Sequence, residues 1–348
     1  MPSGEWIVRQ TGHVASLLKL SRLVGLNNAA KLIKGDIDAD PNSEILCDLN
    51  RYSCFGGRLY VSGRIQSDSL QVIGLGIRLP HRRWGWVEAF LEPSGSAETS
   101  VCGGTFNFSV PAPEGPEALD WKLRAALADG SWFDLSDAYY RALTNNPFDQ
   151  MLSDFMVRLS GRPSGTIVEI GSRARSGRTY IDTLPGEWKY VGFDIADGPN
   201  VDVVGDAHEM SRYLEEASVD AILSISTFEH LAMPWKVVLE MNRVLKLGGV
   251  VCIASHQTWP LHDEPWDYWR FSGTCWKAMF NEVTGFRIDK VGLGQGADVV
   301  AKIMNDATAG LPGQPAFLGS SVLVTKIADT RLSWPVPTHV VTEGEYPG

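Results

Sequence analysis

The chain has 348 residues, enough for two domains rather than one. Its 44% apolar content allows full-sized cores, and a formal net charge of −10 argues against a nucleic-acid or anionic-membrane partner, which a basic stripe would mark. Cys47, Cys54, Cys102, Cys252 and Cys275 form no close pair and read as free thiols of a reducing, cytoplasmic compartment. The N-terminus has no basic stretch leading into an apolar core, and no run approaches the ~20 apolar residues that cross a bilayer.

In chain order, residues 1–50 are expected as an N-terminal helical segment. Leu17, Leu20, Val24 and Leu32 recur at helical spacing within Val14–Ile33. An amphipathic helix packed on its own protein, or on a second copy in a homodimer, is the simplest reading. A membrane-surface helix would need more positive charge. Residues 39–50 are polar and carry Asp-Pro-Asn turn chemistry.

The period then changes to two. Leu59, Val61 and Ile65 alternate with polar residues, and short apolar runs follow at Leu70–Leu79, Trp84–Leu91, Thr105–Val110, Trp121–Ala128 and Trp132–Leu135. About six strands without intervening helices imply a β-sandwich accessory domain over residues 51–136. Its most marked cluster is His81, Arg82, Arg83, Trp84 and Trp86, read as a loop packed by its aromatics or as a polar-ligand surface. Residues 137–165 form a helical linker, with helices over Asp137–Leu143 and Phe148–Leu159.

From residue 166 to 329 the rhythm is strand, helix, strand, the pattern of a doubly wound α/β sheet. Strands are expected at Thr166–Ile170, Lys189–Asp194, Val201–Val204, Ala221–Ser226, Val250–Ala254, Phe286–Gly292 and Ser321–Lys326. Helices are expected at Arg178–Thr183, Met210–Glu216, Pro234–Leu245 and Ser272–Thr284. The last two strands follow one another without a helix between them, which calls for a terminal antiparallel strand. Residues 330–348 read as an extended tail.

The stretch TIVEIGSRARSGRTYI organises this half: an apolar strand, a glycine turn at Gly171 and a helix start. Glu169 is a carboxylate inside the strand, costly there unless partnered. A second strand ends in Asp194, the usual place for a ribose-diol acceptor in nucleotide-binding sheets. Ligands of such sheets bind beyond the carboxyl ends of the strands. Polar groups collect at those ends: Gly171-Ser172-Arg173, Asp194-Ile195, Asp206-Ala207-His208, Ser226 to His230, and Ser255-His256.

The runs VEIGSRARSG, YVGFDI, VGDAHEM, ILSISTFEHLAMPWKVVLEMNRVLKLGGVV and HDEPWDYWRF resemble those of class I S-adenosylmethionine-dependent methyltransferases, near the small-molecule, quinone and sugar subgroup. The likeness spans residues 166–327 and implies a Rossmann-like sheet with S-adenosyl-L-methionine as donor. It implies that Glu169 serves the methionine end, Asp194 the ribose, and Asp206 the adenine amine, with the Ala207 amide beside the ring. It also places Gly171, Ser172, Ile195 and Ser226 at the donor. The family's usual second glycine is Arg173 here, which puts the contacts of Arg173–Ser176 in question. A nicotinamide dinucleotide site is the competing reading, but it wants G-x-G-x-x-G where this chain has G-S-R-A-R-S-G.

Methyl transfer to a hydroxyl needs a base, and His230, His256 and His262 are the candidates. The Glu-x-x-Glu-His run that holds a divalent metal in quinone-type relatives has Ser226 at its first position, so no metal is expected. The loop 257–271 carries Trp259, Asp263, Trp266, Tyr268 and Arg270, a set suited to stacking on a sugar and accepting from its hydroxyls. O-methylation of a sugar hydroxyl in a glycan, glycolipid or nucleotide-sugar is therefore expected. The alternatives are a non-sugar metabolite as acceptor, and a binding or scaffold protein that has lost turnover.

Overall fold

The computed structural model describes residues 45–55, 58–67, 70–78, 87–90, 92–93, 102–111, 122–135, 147–175, 177, 179–344 and 346–347. The chain divides into two compact units, Met1–Asn145 and Asn146–Gly348. The helices expected at Val14–Ile33 and Asp137–Leu143, and the His81–Trp86 cluster, lie outside the described residues.

The first unit contains β1 (Ile45–Phe55), β2 (Arg58–Ser67), β3 (Val72–Arg78), β4 (Val87–Phe90), β5 (Glu92–Pro93), β6 (Cys102–Pro111), β7 (Lys122–Leu127) and β8 (Trp132–Asp134). They form two antiparallel four-stranded sheets, ordered β1-β2-β6-β5 and β4-β3-β7-β8. Inward residues of both sheets join one apolar cluster, with Leu59, Val61 and Ile65 from β2 meeting Leu75, Ile77, Leu123 and Ala125. Period-two alternation produces this directly. Residues 45–50 are a correction: they are strand, not part of a helical segment. Leu46 and Asp48 face outward on an edge strand, where Asp48 stands opposite Arg64, while Ile45 and Cys47 are buried.

The second unit is built on one seven-stranded sheet: β9 (Ser164–Ile170), β10 (Glu187–Asp194), β11 (Val203–Val204), β12 (Val219–Ile225), β13 (Leu245–His256), β14 (Phe286–Ala297) and β15 (Ala316–Lys326). The order is β11-β10-β9-β12-β13-β15-β14. The first five are parallel, and β15 runs antiparallel between β13 and β14. Strand order reverses between β9 and β12, which opens a crevice at their carboxyl ends.

Both faces of this sheet are covered. Val168, Ile222, Val251, Ile253, Val322 and Val324 face a cluster that includes Trp276, Phe280 and Phe286. Ile167, Ala221, Leu223, Val250, Cys252 and Leu323 face α1 (Pro147–Ser160) through Met151, Phe155, Met156 and Leu159. Successive residues thus go to opposite faces, which is why the middle strands read as unbroken apolar runs.

Helix α2 (Pro234–Val244) sits on the first of these faces, with Pro in its first turn and Val237, Val238, Met241 and Val244 inward. Its last carbonyls are closed by a buried cation: Lys326 Nζ donates to Asn242 O at 2.7 Å and to Leu245 O at 2.8 Å.

Three expected helices shorten. Of residues 179–183 only Ile181–Thr183 is helical, as a 3₁₀ turn, and residues 210–216 give way to a kinked 3₁₀ stretch, Ala207–Arg212. Of 272–284 only α3 (Cys275–Met279) is helical. There the Asn281 Oδ1 accepts from the Val283 and Thr284 amides, a local turn that competes with the helix. The tail is extended as far as Pro337 and then forms a short turn of helix, α4 (Thr338–Val341).

Candidate active site

The carboxyl ends of β9, β10 and β11 adjoin. Gly171 N donates to Phe193 O at 2.9 Å, and Gly205 N donates to Asp194 O at 2.8 Å. Gly171, Asp194 and Asp206 therefore stand on one rim. Gly171 has φ +82°, and a Cβ there would lie 1.9 Å from Thr227 Oγ1. Both the turn and the approach of the β12 end thus require glycine.

Asp194 is 7% exposed, and each oxygen accepts one backbone amide, from Arg173 at 3.3 Å and Ala196 at 3.1 Å. The Arg173 guanidinium lies over the same carboxylate, with Nε 3.7 Å from Oδ1. Ile195 is half-buried beside it. Ser172 is fully buried, and its Oγ has no hydrogen-bond partner. Arg173 is thus directed at Asp194.

Asp206 begins the 3₁₀ stretch that Ala207 continues. Its Oδ1 accepts from the His208 amide at 2.9 Å and from His208 Nδ1 at 2.6 Å, and its Oδ2 accepts from Thr338 Oγ1 at 2.8 Å. His208 Nε2 accepts from Met233 N at 3.0 Å, which assigns the ring proton to Nδ1. Burial pushes the Asp206 carboxyl up, but the His208 and Thr338 donors outweigh it and hold it below the usual range.

Glu169 has the partner that its burial demands. Tyr190 Oη donates to Oε2 at 2.5 Å, and Asn200 Nδ2 donates to Tyr190 Oη at 2.6 Å. Asn200 Nδ2 also reaches Ser172 O at 3.0 Å, so this network supports the turn after β9. Burial, then Glu169, drives the Tyr190 hydroxyl far up from its ordinary pKa.

A second group of polar residues gathers at the ends of β12 and β13. Ser226 leaves β12 in the left-handed region at φ +51°, a strained setting for a residue with a Cβ, and is itself exposed. The next turn buries Glu229 completely. Three imidazoles converge on its Oε1: His256 Nε2 at 3.0 Å, His230 Nε2 at 3.9 Å and His262 Nε2 at 3.9 Å. Its Oε2 accepts from Ser255 Oγ at 2.6 Å. Burial alone would push the Glu229 carboxyl up; the His256 and His262 imidazoles and the Ser255 hydroxyl hold it well below the usual range. Glu229 in turn raises the His262 imidazole.

The loop 257–271 closes over this turn. Tyr268 N and Trp269 N donate to Glu229 O at 2.9 and 3.1 Å, and Phe271 N donates to His256 O at 2.7 Å. Trp266 offers its carbonyl to His230 Nδ1 at 2.9 Å. Trp259 stacks on His256, centroids 4.7 Å apart and planes 9° apart. Tyr268 is partly exposed and tilts toward Tyr346 of the tail. Two of the loop's charges are committed to structure. Arg270 clasps Asp267 through both terminal nitrogens and bonds Trp259 O and Pro260 O. Asp263 pairs with Arg175 through two bonds of 2.7 and 2.9 Å.

Sequence reasoning missed Glu229 as the hub, although the Glu-His pair marked the run. It also missed Thr227, Tyr190, Asn200 and Arg175, and it read Thr338 and Tyr346 as part of an extended tail. Nothing local marks those last two; only the tertiary path brings them to Asp206 and His208.

The turn after β9 fits an adenosine-bearing donor on its own chemistry. Asp194 is a buried carboxylate whose oxygens each accept one backbone amide, and a buried unpartnered hydroxyl, Ser172 Oγ, lies one residue from the glycine bend. The methyltransferase domain family matches residues 173–253. No curated protein matches the chain. Among solved structures, an S-adenosylmethionine-dependent methyltransferase from Archaeoglobus fulgidus is similar at 15% identity and TM-score 0.38, covering 51% of this chain and 92% of that one. YcgJ from Bacillus subtilis gives 16% and 0.37, with 51% and 99% covered. An S-adenosylmethionine-dependent methyltransferase from Aquifex aeolicus gives 16% and 0.35, with 54% and 93% covered. With the family matched from the turn after β9 into β13, the second unit carries a class I methyltransferase domain that uses S-adenosyl-L-methionine.

Proposed function

We propose that this domain methylates a hydroxyl oxygen, and that the acceptor is a sugar hydroxyl in a glycan, glycolipid or nucleotide-sugar. The observation that carries the oxygen acceptor is the convergence of His230, His256 and His262 on buried Glu229 beside the donor rim. S-adenosylmethionine supplies an already activated methyl group, so the protein's work is alignment and removal of the acceptor's proton. Asp194 accepts the ribose hydroxyls; Gly171, Ser172 and Arg173 form the turn beneath them. Asp206 and Ala207 border the adenine, and Ser226 lies at the methionine end. Glu169 acts through Tyr190 and Asn200 as a support for that turn.

The proton leaving the acceptor has three imidazoles available, with the Glu229 carboxylate to stabilise the positive charge. The sugar assignment rests on the partly exposed rings of Trp259 and Tyr268, a residue type that suits the apolar face of a pyranose. It draws no support from Asp263 or Arg270, whose charges are paired within the protein. We read the first unit, with its two sheets on one core, as a β-sandwich accessory domain that recruits acceptor.

Purified protein with donor and a panel of glycans, nucleotide-sugars and phenols tests this, read as S-adenosylhomocysteine formed. Turnover on sugars that collapses in Asp194→Ala is expected. Turnover on phenols alone removes the sugar. Full activity in Asp194→Ala removes the donor assignment. Retained acceptor affinity in a chain of residues 146–348 removes the recruiting role of the first unit.

A further inference from the structure

We propose that Glu229, His230 and His262 form a site for one first-row divalent cation of the zinc class, open to solvent on one side. One ligand atom from each of these residues lies within 4.8 Å of the others. Glu229 Oε1 is 3.9 Å from His230 Nε2 and 3.9 Å from His262 Nε2. Bonds of about 2.0–2.2 Å in tetrahedral geometry place ligand atoms roughly 3.3–3.6 Å apart, so small side-chain movements close the set.

Two further observations point to a cation rather than a chance meeting of side chains. The first is the carboxylate. Glu229 Oε1 is buried and meets no full hydrogen-bond geometry, although His256 Nε2 lies 3.0 Å away. A buried carboxylate oxygen left in this state is costly unless positive charge meets it. The second is the orientation of the rings. His230 Nδ1 bonds to Trp266 O at 2.9 Å, and His262 Nδ1 bonds to Pro260 O at 3.2 Å with Asp267 Oδ2 at 3.4 Å. In each ring Nδ1 is therefore turned to an oxygen acceptor, and Nε2 is the atom turned toward Glu229. Carbonyl or carboxylate partners on the far nitrogen are what metal-ligating histidines almost always have. With Nε2 unprotonated, each ring offers a lone pair to a cation that the carboxylate also meets.

The ligand set selects the ion. Two imidazoles and one carboxylate suit zinc, or iron, cobalt, nickel or copper; magnesium and calcium prefer oxygen throughout. Three protein ligands leave a position open, the arrangement of catalytic rather than structural sites. Glu229 is fully buried while His230 and His262 keep 22% and 24% of their side chains exposed, so the open position faces solvent. Resting on the methyl-transfer reading, that position takes the acceptor oxygen and acidifies its hydroxyl. His256, outside the ligand set, then remains to receive the proton.

The test uses the untagged full chain, stripped with chelator and then dialysed against Zn²⁺, Co²⁺ or Mg²⁺. Metal content is read by mass spectrometry, and the Co²⁺ visible spectrum reports geometry. One Zn²⁺ or Co²⁺ per chain is expected, with a low-symmetry four- or five-coordinate cobalt spectrum, no thiolate band and no retained Mg²⁺. His230→Ala and His262→Ala should each weaken binding at least about tenfold. Exposed His339→Ala should leave it unchanged. Should an alanine variant fail to fold by thermal melting, Glu229→Gln, nearly isosteric, takes its place. Absence of stoichiometric metal, binding unchanged in the folded variants, or a thiolate band overturns the site. Calorimetry with S-adenosylmethionine on the same samples separates the two claims. Donor binding without metal sinks only the cation site; metal without donor binding sinks only the donor assignment.

Discussion

Gly171→Ala is the sharpest test of how the rim is built. The alanine Cβ would sit 1.9 Å from Thr227 Oγ1, 2.8 Å from Cγ2 and 2.9 Å from Cβ, in a backbone at φ +82°. The left-handed conformation costs a residue with a Cβ roughly 1–2 kcal/mol. Forcing the Thr227 side chain aside adds about 1–3 kcal/mol. Thr227 Oγ1 also lies 3.2 Å from Ile225 O and 3.4 Å from Ile170 O, contacts that a displaced side chain gives up. A loss of roughly 2–5 kcal/mol follows, which in a unit of this size lowers Tm by about 2–4 °C per kcal/mol. Thr227→Ala removes two of the three clashing atoms. Gly171→Ala should therefore cost less in the Thr227→Ala background, with a coupling of about 0.5–3 kcal/mol, while the backbone share persists. Urea unfolding of the four proteins completes the cycle, and donor calorimetry follows the same set. Equal cost of Gly171→Ala in both backgrounds would show that Thr227 is not what requires the glycine.

Lys326→Met removes both bonds to the Asn242 and Leu245 carbonyls at the end of α2 and should cost roughly 3–6 kcal/mol in urea unfolding, since each bond to a charged group contributes about 1.5–3 kcal/mol. A loss under about 0.5 kcal/mol would refute the cap. Asp289 gives a pH prediction. Burial pushes its carboxyl up, but the Thr325 hydroxyl and the Arg158 and Arg287 guanidiniums outweigh it and hold it below the usual range. A depressed folded pKa contributes stability above the unfolded value near ~4 and loses it as pH falls through the folded one. Asp289→Asn should therefore flatten the acid limb of a Tm-against-pH curve; an unaltered limb is the contrary result. The Arg175–Asp263 pair has exposures of 58% and 33%, so breaking it should move stability by only about 0.2–1 kcal/mol. Because it joins the loops after β9 and β13, Arg175→Ala should instead change kcat or KM, measured by steady-state methyl transfer. A large Tm loss with unchanged kinetics would invert this.

Much of the second unit was legible in the sequence. Alternate burial on both faces produces continuous apolar runs, and polar residues at their ends mark where a ligand sits; Gly171, Asp194 and Asp206 lie together as those signals imply. The helices were less legible because local side-chain bonds, such as those of Asn281, ended them early. The cluster on Glu229 was only half visible. His230 follows it directly, but His256 and His262 arrive from the end of β13 and the loop beyond. Counting ligands within the run after β12 therefore found one short. The charged residues of 257–271 were visible as types, not as pairs: Asp263 and Arg270 find partners within the protein.

The reversal of strand order between β9 and β12 separates two kinds of chemistry. The β9–β11 side offers single carboxylates, Asp194 and Asp206, held by backbone amides and by His208. That is a set for recognising neutral hydroxyls and amines. The β12–β13 side gathers a carboxylate with three imidazoles, which attracts protons or a cation. Beyond the pairing of β9 with β12, the sides meet at Thr227 against Gly171 and at Arg175 with Asp263, among other contacts. The first is part-buried and close-packed and sets the spacing of the two strand ends. The second is exposed and ionic, so it can open without unfolding anything. A fixed rim with one releasable clasp is what a domain needs if it must admit a donor and an acceptor and then hold them in line.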